Sequence, residues 1–173
     1  MSNPAPGELE RVRAFVNTWD AEDGTDDIAT PAQLAAWLGE QQATPAEHRR
    51  AIAVREALRA ALRAHHGSPE DVPRDVLEDA SRRAAFAIVL DDHGRASLAP
   101  SSEGIDAALG RLLAVVHAAD AEGTWSRLKV CPADDCQWAF YDRSRNRSAV
   151  WCDMKVCGNR HKVREYRERR LRG

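Results

Sequence analysis

Four cysteines carry the strongest chemical signal in this 173-residue chain. Cys131 and Cys136 form one pair and Cys152 and Cys157 a second; each pair encloses four residues, and fifteen separate the pairs. No cysteine precedes Cys131. Two short loops of this kind place two sulfurs each at the corners of a tetrahedron, and a central hairpin of this length brings the corners together. Thiolate is a good ligand for zinc, which imposes no d-electron geometry of its own. The spacing therefore predicts a structural zinc site, with two disulfides or four buried free thiols as the competing readings. Disulfides need an oxidising compartment, and no secretory signal opens the chain at Met1-Ser2-Asn3-Pro4. Four protein ligands leave no open coordination position, which argues against a catalytic metal.

The charge distribution points the same way along the chain. Residues 1–142 carry 14 Lys/Arg against 24 Asp/Glu, whereas residues 143–173 carry 11 against 3, although the total is only −2. Such asymmetry suggests an acidic domain joined to a segment that binds polyanions, or a charged terminal helix that is simply solvated. No apolar run is long enough to span a membrane, so a cytoplasmic protein is expected.

Helices must carry most of the chain ahead of the cysteines. Leu9, Val12, Phe15, Val16 and Trp19 recur at helical spacing and predict a first helix ending near Trp19. Asp20 to Asp27 is an acidic turn; it lacks the EF-hand pattern and reads as a solvated loop rather than a cation site. Thr30-Pro31 starts a short helix stopped by Gly39, and Thr44-Pro45-Ala46-Glu47 is a capping box opening a long helix that ends at Gly67. The outer face of that helix holds Arg49, Arg50, Arg55, Arg59 and Arg63, read as solvated or as an anion site. Another helix holds Val76, Leu77, Ala80 and Ala84. Phe86–Leu90 and Arg95–Leu98 then make a β-hairpin whose Ile88 and Leu90 or Phe86 face must pack on the helices. A last helix runs from Glu103 to Gly123. No glycine-rich nucleotide loop and no activated nucleophile is visible, so an enzyme is not expected.

Around the cysteines, Arg127–Val130 reads as a strand, and Gln137–Tyr141 with Ala149–Trp151 as the arms of a hairpin tipped by Arg143–Ser148. A helix follows Cys157, and Trp138, Phe140 and Trp151 supply a small core. The expected fold is mainly α: a helical domain over residues 1–124 with one β-hairpin, then a treble-clef-like zinc module of knuckle, hairpin and helix over 125–173.

CPADDC followed by FYDRSRNRSAVWCDMKVCGNRHK resembles the CGNR zinc finger, whose name is the tetrapeptide held here by Cys157-Gly158-Asn159-Arg160. Relatives often show a second Arg before the Trp-Cys pair, where this chain has Ala149-Val150. Phe15-Val16-Asn17-Thr18, the Leu38-containing helix and Val54-Arg55-Glu56-Ala57-Leu58-Arg59 are similar to the ABATE domain, a helical region found in bacterial stress-response transcription regulators. The resemblance implies a zinc-binding regulator with a ligand- or signal-responsive N-terminal domain.

The residues themselves offer a nucleic-acid surface. Arg143, Arg145, Asn146 and Arg147 crown the expected hairpin, and Asn159, Arg160, Lys162, Arg164 and Arg167 lie on or near the last helix. Arginine and lysine neutralise phosphates, while Asn159 and Arg160 would either reach base edges or brace the zinc knuckle. Expected i,i+4 pairs, Glu165–Arg169 and Glu168–Arg172, partly neutralise the helix. His161 is a spare metal donor or a surface residue. Asn17 and Arg55 are candidates for an effector pocket, or else buried braces. The reading is a DNA-binding transcriptional regulator, homodimeric if its operator is palindromic. The alternatives are an adaptor whose basic tail docks on an acidic partner, and an enzyme acting on a small ligand in the N-terminal domain.

Overall fold

The structure, a computed structural model, describes residues 4–67 and 71–171, without the side chains of residues 168 and 171. Among these the chain forms α1 (Leu9–Val16), β1 (Trp19–Asp20), β2 (Thr25–Asp26), α2 (Pro31–Leu38), α3 (Pro45–Ala64), α4 (Arg74–Ala84), β3 (Phe86–Leu90), β4 (Ala96–Pro100) and α5 (Gly104–Ala121). A 3-10 turn (Trp125–Arg127), β5 (Leu128–Val130), β6 (Ala139–Tyr141), a π-helical turn (Met154–Gly158) and α6 (Asn159–Leu171) complete it. The mainly α class with a small cysteine-bearing module agrees with the sequence reading. No described helix is long and apolar enough to cross a membrane.

Local signals set the helix starts. The Thr44 hydroxyl accepts the Glu47 N–H at 3.2 Å, and the Glu47 carboxylate accepts the Thr44 N–H at 2.7 Å. Thr30 and Gln33 form an equivalent reciprocal box ahead of α2, with proline at the first helical position in both cases. Each box satisfies backbone donors that the first turn leaves unpaired, worth about 1 kcal/mol. Gly39 ends α2 in the left-handed region at φ 77°. The acidic stretch after α1 is not only a loop: Trp19 pairs with Asp26 and Asp20 with Thr25 as a miniature hairpin.

Helices α1, α3 and α5 bury Phe15, Leu58, Leu62, Ile105 and Leu109, with the Trp37 ring 5.4 Å from that of Phe15. Each such side chain contributes about 1.5–3 kcal/mol on leaving water. The same core continues into Leu128, Val130, Ala139 and Tyr141 of β5 and β6. Helix α1 ends at Val16, short of the expected Trp19, because tertiary partners take over: Arg59 donates to the Val16 carbonyl and Thr18 turns its hydroxyl onto the Phe15 carbonyl.

Two expectations are corrected here. Arg55 and Arg59 are not on a solvated face; both are buried, Arg59 to 1% exposure, because their positions fall beside the Leu58 and Leu62 stripe of α3. The β3–β4 hairpin forms, with Ile88 opposite Leu98, but its apolar face does not pack fully on the helices: Ile88 is 74% and Leu90 65% exposed. Only the β4 side rests on α5, with Leu98, Ala99 and Pro100 half-buried.

Gly110 permits the close approach of α4 to α5. A β carbon there would lie 2.6 Å from the Ala84 Cβ and 3.0 Å from the Pro100 Cβ, neither of which belongs to a side chain that can swing aside. Gly110→Ala should therefore destabilise the protein by roughly 1–3 kcal/mol, outweighing the ~1 kcal/mol of helix propensity that alanine supplies. A lowered urea midpoint would report this; an unchanged or raised midpoint would mean that α4 shifts away without cost.

Candidate metal centre and basic surface

The metal centre is built on the β5–β6 hairpin. Val130 pairs with Ala139, Lys129 with Phe140 and Leu128 with Tyr141, and the Cys131 N–H continues the ladder to the Trp138 carbonyl at 2.9 Å. This corrects the expected hairpin: Gln137–Tyr141 pairs backwards with Leu128–Val130, and residues 142–151 form an irregular loop. The first cysteine pair thus occupies the hairpin turn, tightened by Cys136 N–H to Ala133 carbonyl at 3.0 Å. Of the second pair, Cys152 precedes the π-helical turn and Cys157 lies within it; Asp153 caps the turn by accepting the Lys155 N–H at 2.7 Å. Gly158 lets the Met154 side chain lie against the backbone there; a β carbon would displace the Met154 sulfur and stand 3.2 Å from Trp151.

All four sulfurs lie within 4.8 Å of one another, with Cys136 and Cys152, and Cys152 and Cys157, 3.6 Å apart. A tetrahedron with Zn–S bonds of about 2.3 Å has edges of about 3.8 Å, so the cluster fits zinc, whereas a disulfide would need about 2.05 Å. The acid–base chemistry agrees. S–H donors from Cys136 and Cys152 hold the Cys131 thiol down at about 2, and the thiolate so favoured pushes Cys136 up to about 12 and Cys152 also upward. Burial raises Cys157. Four sulfurs can all be ionised together only around a cation, and four thiolates make a closed, structural zinc site. Trp138 and Trp151 pack against the cluster. His161 stacks on Trp151 at 4.7 Å between ring centroids and is not among the clustered donors.

A buried ion pair shapes the basic loop that follows. Lys129 Nζ lies 2.8 Å from the Asp142 carboxylate and donates also to the carbonyls of Arg147 at 2.6 Å and Ala149 at 3.1 Å. Asp142 accepts the N–H groups of Ser144 at 2.9 Å and Ala149 at 3.0 Å. Burial works against its charge, but the bonds from Lys129 and Ser144 prevail and hold its carboxyl at about 2. The loop is wrapped on this pair, leaving Arg143, Arg145, Asn146 and Arg147 exposed. Arg143 donates to the Pro4 carbonyl at 2.9 Å and lies over the Tyr141 ring; Arg147 reaches the Ser126 hydroxyl at 3.1 Å.

On α6, Lys162, Arg164 and Arg167 are exposed. Arg160 is engaged by protein: it meets Glu22 of the β1–β2 hairpin at 2.8 Å and Asp135 of the cysteine knuckle at 3.4 Å, and Arg164 stands 3.8 Å from Asp135. Asn159 donates to the Lys155 carbonyl at 3.0 Å. Arg169 bonds the Glu165 backbone carbonyl at 3.3 Å. The expected Glu168–Arg172 pair lies outside the described residues.

Side chains named in the sequence reading, Asn17 as a candidate brace and Arg59 and Arg63 as a solvated face or anion site, join this module to the helices, with partners the sequence did not indicate. Asn17 donates to the Ala139 carbonyl at 2.9 Å and accepts the Ala139 N–H at 2.7 Å, standing in for a neighbouring strand. Arg59 donates to the Gln137 carbonyl at 2.8 Å, Arg63 to the Gln137 side chain, and the His65 and His66 rings contact the Leu128 and Val130 carbonyls at 2.7 Å each. Burial lowers the His65 pKa, so the ring is a neutral donor through Nδ1. Arg55 is likewise tied to Asp26 at 2.8 Å and to the Thr18 hydroxyl at 3.1 Å. Asn17 and Arg55 thus hold protein atoms. The available signal was phase: positions 55, 59 and 62 share one stripe of α3, and His65 and His66 follow directly at its C-terminal end.

Two outcomes test this construction. Asp142→Asn leaves Lys129 buried without its counter-charge and should cost about 3–5 kcal/mol, read by chemical denaturation. Because the folded carboxyl sits below its ordinary value of 3.8, the stability it contributes is complete above that pH and lost as pH falls through about 2. Metal analysis should find one zinc per chain, and a strong chelator should remove it with loss of the near-UV dichroism of Trp138 and Trp151; retention of that signal without metal would show that zinc does not organise the module.

Comparison with known families follows the same division. Residues 127–170 match the CGNR zinc finger, and residues 10–125 match ABATE, described as "Putative stress-induced transcription regulator". No curated protein matches the chain. With two thirds of its length matched by that one model, the chain belongs to the ABATE family, and a CGNR zinc finger follows directly.

Proposed function

We propose that this protein is a non-catalytic, DNA-binding transcriptional regulator of the cytoplasm, in which zinc holds a basic module to a helical body. The supporting observation is the exposed cation set on that module: Arg143, Arg145 and Arg147 on the loop, Lys162, Arg164 and Arg167 on α6. Cations presented this way neutralise phosphates and release counterions. Asn146, also exposed at the loop tip, is the side chain with both donor and acceptor that a base edge requires. Four thiolates close the metal to substrate, and free thiols suit a reducing compartment.

Asn159 and Arg160 act here as braces. The Glu22 carboxylate beside Arg160 occupies the position a phosphate would take, so the acidic hairpin competes with nucleic acid for this arginine. That contact also supports the second reading, an adaptor whose basic helix docks on carboxylates, since such docking already occurs within the chain. The bonds of Asn17 to Ala139 and of Arg55 Nε and Nη1 to Glu56, Thr18 and Asp26 support placing any effector elsewhere.

Fluorescence anisotropy with random duplex DNA separates the readings. The zinc-loaded protein should bind at low salt and weaken by at least about tenfold between 50 and 200 mM salt. Arg145→Ala should weaken binding evenly across sequences. Glu22→Gln should strengthen it by a few-fold at most, since an exposed ion pair contributes little. No binding at either salt, with zinc present, would overturn the DNA reading.

A further inference from the structure

Among the described residues, nothing pairs with the outer edge of strand β3. The strand pairs with β4 alone, in a two-stranded sheet. The Asp91 N–H bonds the Arg95 carbonyl and the Ser101 N–H bonds the Ala85 carbonyl, both at the ends of the ladder. Pairs alternate along an antiparallel ladder, so Ala87 and Val89 direct their main-chain groups at β4, and Phe86, Ile88 and Leu90 direct theirs outward. The outward row has the features that native edges avoid: five residues, Phe-Ala-Ile-Val-Leu, with no charge, proline or glycine. Its side chains are exposed as well, Ile88, Val89 and Leu90 all standing in solvent.

We propose that β3 is a self-association edge, pairing antiparallel with β3 of a second copy to form a closed two-fold dimer with a continuous four-stranded sheet. The pattern is self-complementary in one register. With Ile88 opposite the Ile88 of the second copy, Phe86 faces Leu90 and Leu90 faces Phe86, so every outward main-chain group finds a partner and about six inter-strand bonds form. Shifting by two residues loses one opposed pair. The same register places apolar side chains together, Phe86 beside Leu90 and Ile88 beside itself, on the face already lined by Ala96 and Leu98.

Charge favours a second copy as the occupant. One end of β3 follows Arg82 and Arg83, which share Asp79, and the other leads into Asp91 and Asp92, of which Asp91 holds Arg95, so each end keeps one net charge, positive at the first and negative at the second. Antiparallel pairing brings the arginine end of each copy to the aspartate end of the other, whereas parallel pairing would set like charges side by side. A groove of about 420 Å³ between Ile88, Leu98 and the Ala114, Ala118 and Ala121 row of α5 continues the apolar surface under the ribbon. The inference is independent of DNA binding.

Sedimentation equilibrium of the full-length, zinc-loaded protein tests it. The wild type should be a dimer at micromolar concentration. Ile88→Lys, at a position already exposed, should weaken the dimer at least about tenfold with unchanged zinc content and helical dichroism. Ile88→Pro removes an outward N–H together with the side chain while sparing the bonds to β4, so it should do the same. A monomeric wild type at about 100 μM, an open-ended aggregate instead of a dimer, or a dimer indifferent to both variants would overturn the proposal.

Discussion

The structure depends on how a two-stranded ribbon of three residues per strand is kept in place. Such a ribbon is at best marginally stable by itself, and β5 and β6 have further main-chain groups to satisfy. Those groups are met from the helical body: Asn17 takes both polar groups of Ala139, while Arg59, His65 and His66 take the carbonyls of Gln137, Leu128 and Val130. Buried backbone groups left unpaired would each cost about 1–3 kcal/mol, so these side chains decide whether the ribbon can sit in the core at all. The zinc cluster closes the far end of the same ribbon, and its apolar residues are part of the helical core.

This arrangement changes what the zinc accomplishes. The metal site ties the π-helical turn and α6 to the hairpin turn, whereas the basic loop is shaped separately by Lys129 and Asp142. Two sets of cations are therefore presented by two devices that share the β5–β6 scaffold. A buried pair is costly to desolvate and is retained here with five hydrogen bonds around it, which makes it a specifier of loop shape more than a source of net stability. Arg160, in the first turn of α6, is already in contact with acidic groups from the β1–β2 hairpin and from the cysteine knuckle.

The parts legible in sequence were those governed by spacing and by neighbours in the chain. The cysteine intervals, the Thr44 box with Glu47, the glycine stop at Gly39 and the β3–β4 turn all act within a few residues. Less legible were choices among equivalent partners. Ala139–Tyr141 alternates as well with 149–151 as with 128–130, and nothing local says that Lys129 will need Asp142 on the adjoining strand end. Buried arginines are misread for a related reason. Arg55 and Arg59 look like solvated charges because, apart from the neighbouring Glu56, their partners Asp26, Val16 and Gln137 are distant in the chain, two of them main-chain carbonyls that carry no sequence signature.

By itself, then, the amino-acid sequence determined the zinc ligands, the helix boundaries to within a turn and the separation of acidic from basic segments, since each follows from covalent spacing or local hydrogen bonding. Tertiary structure alone decided which strand pairs with which, that Asn17 and Arg55 hold protein atoms, that Arg160 faces Glu22, and that β3 keeps a bare apolar edge. Those outcomes rest on contacts between residues far apart in the chain, where geometry after packing selects one partner among several of equal local merit.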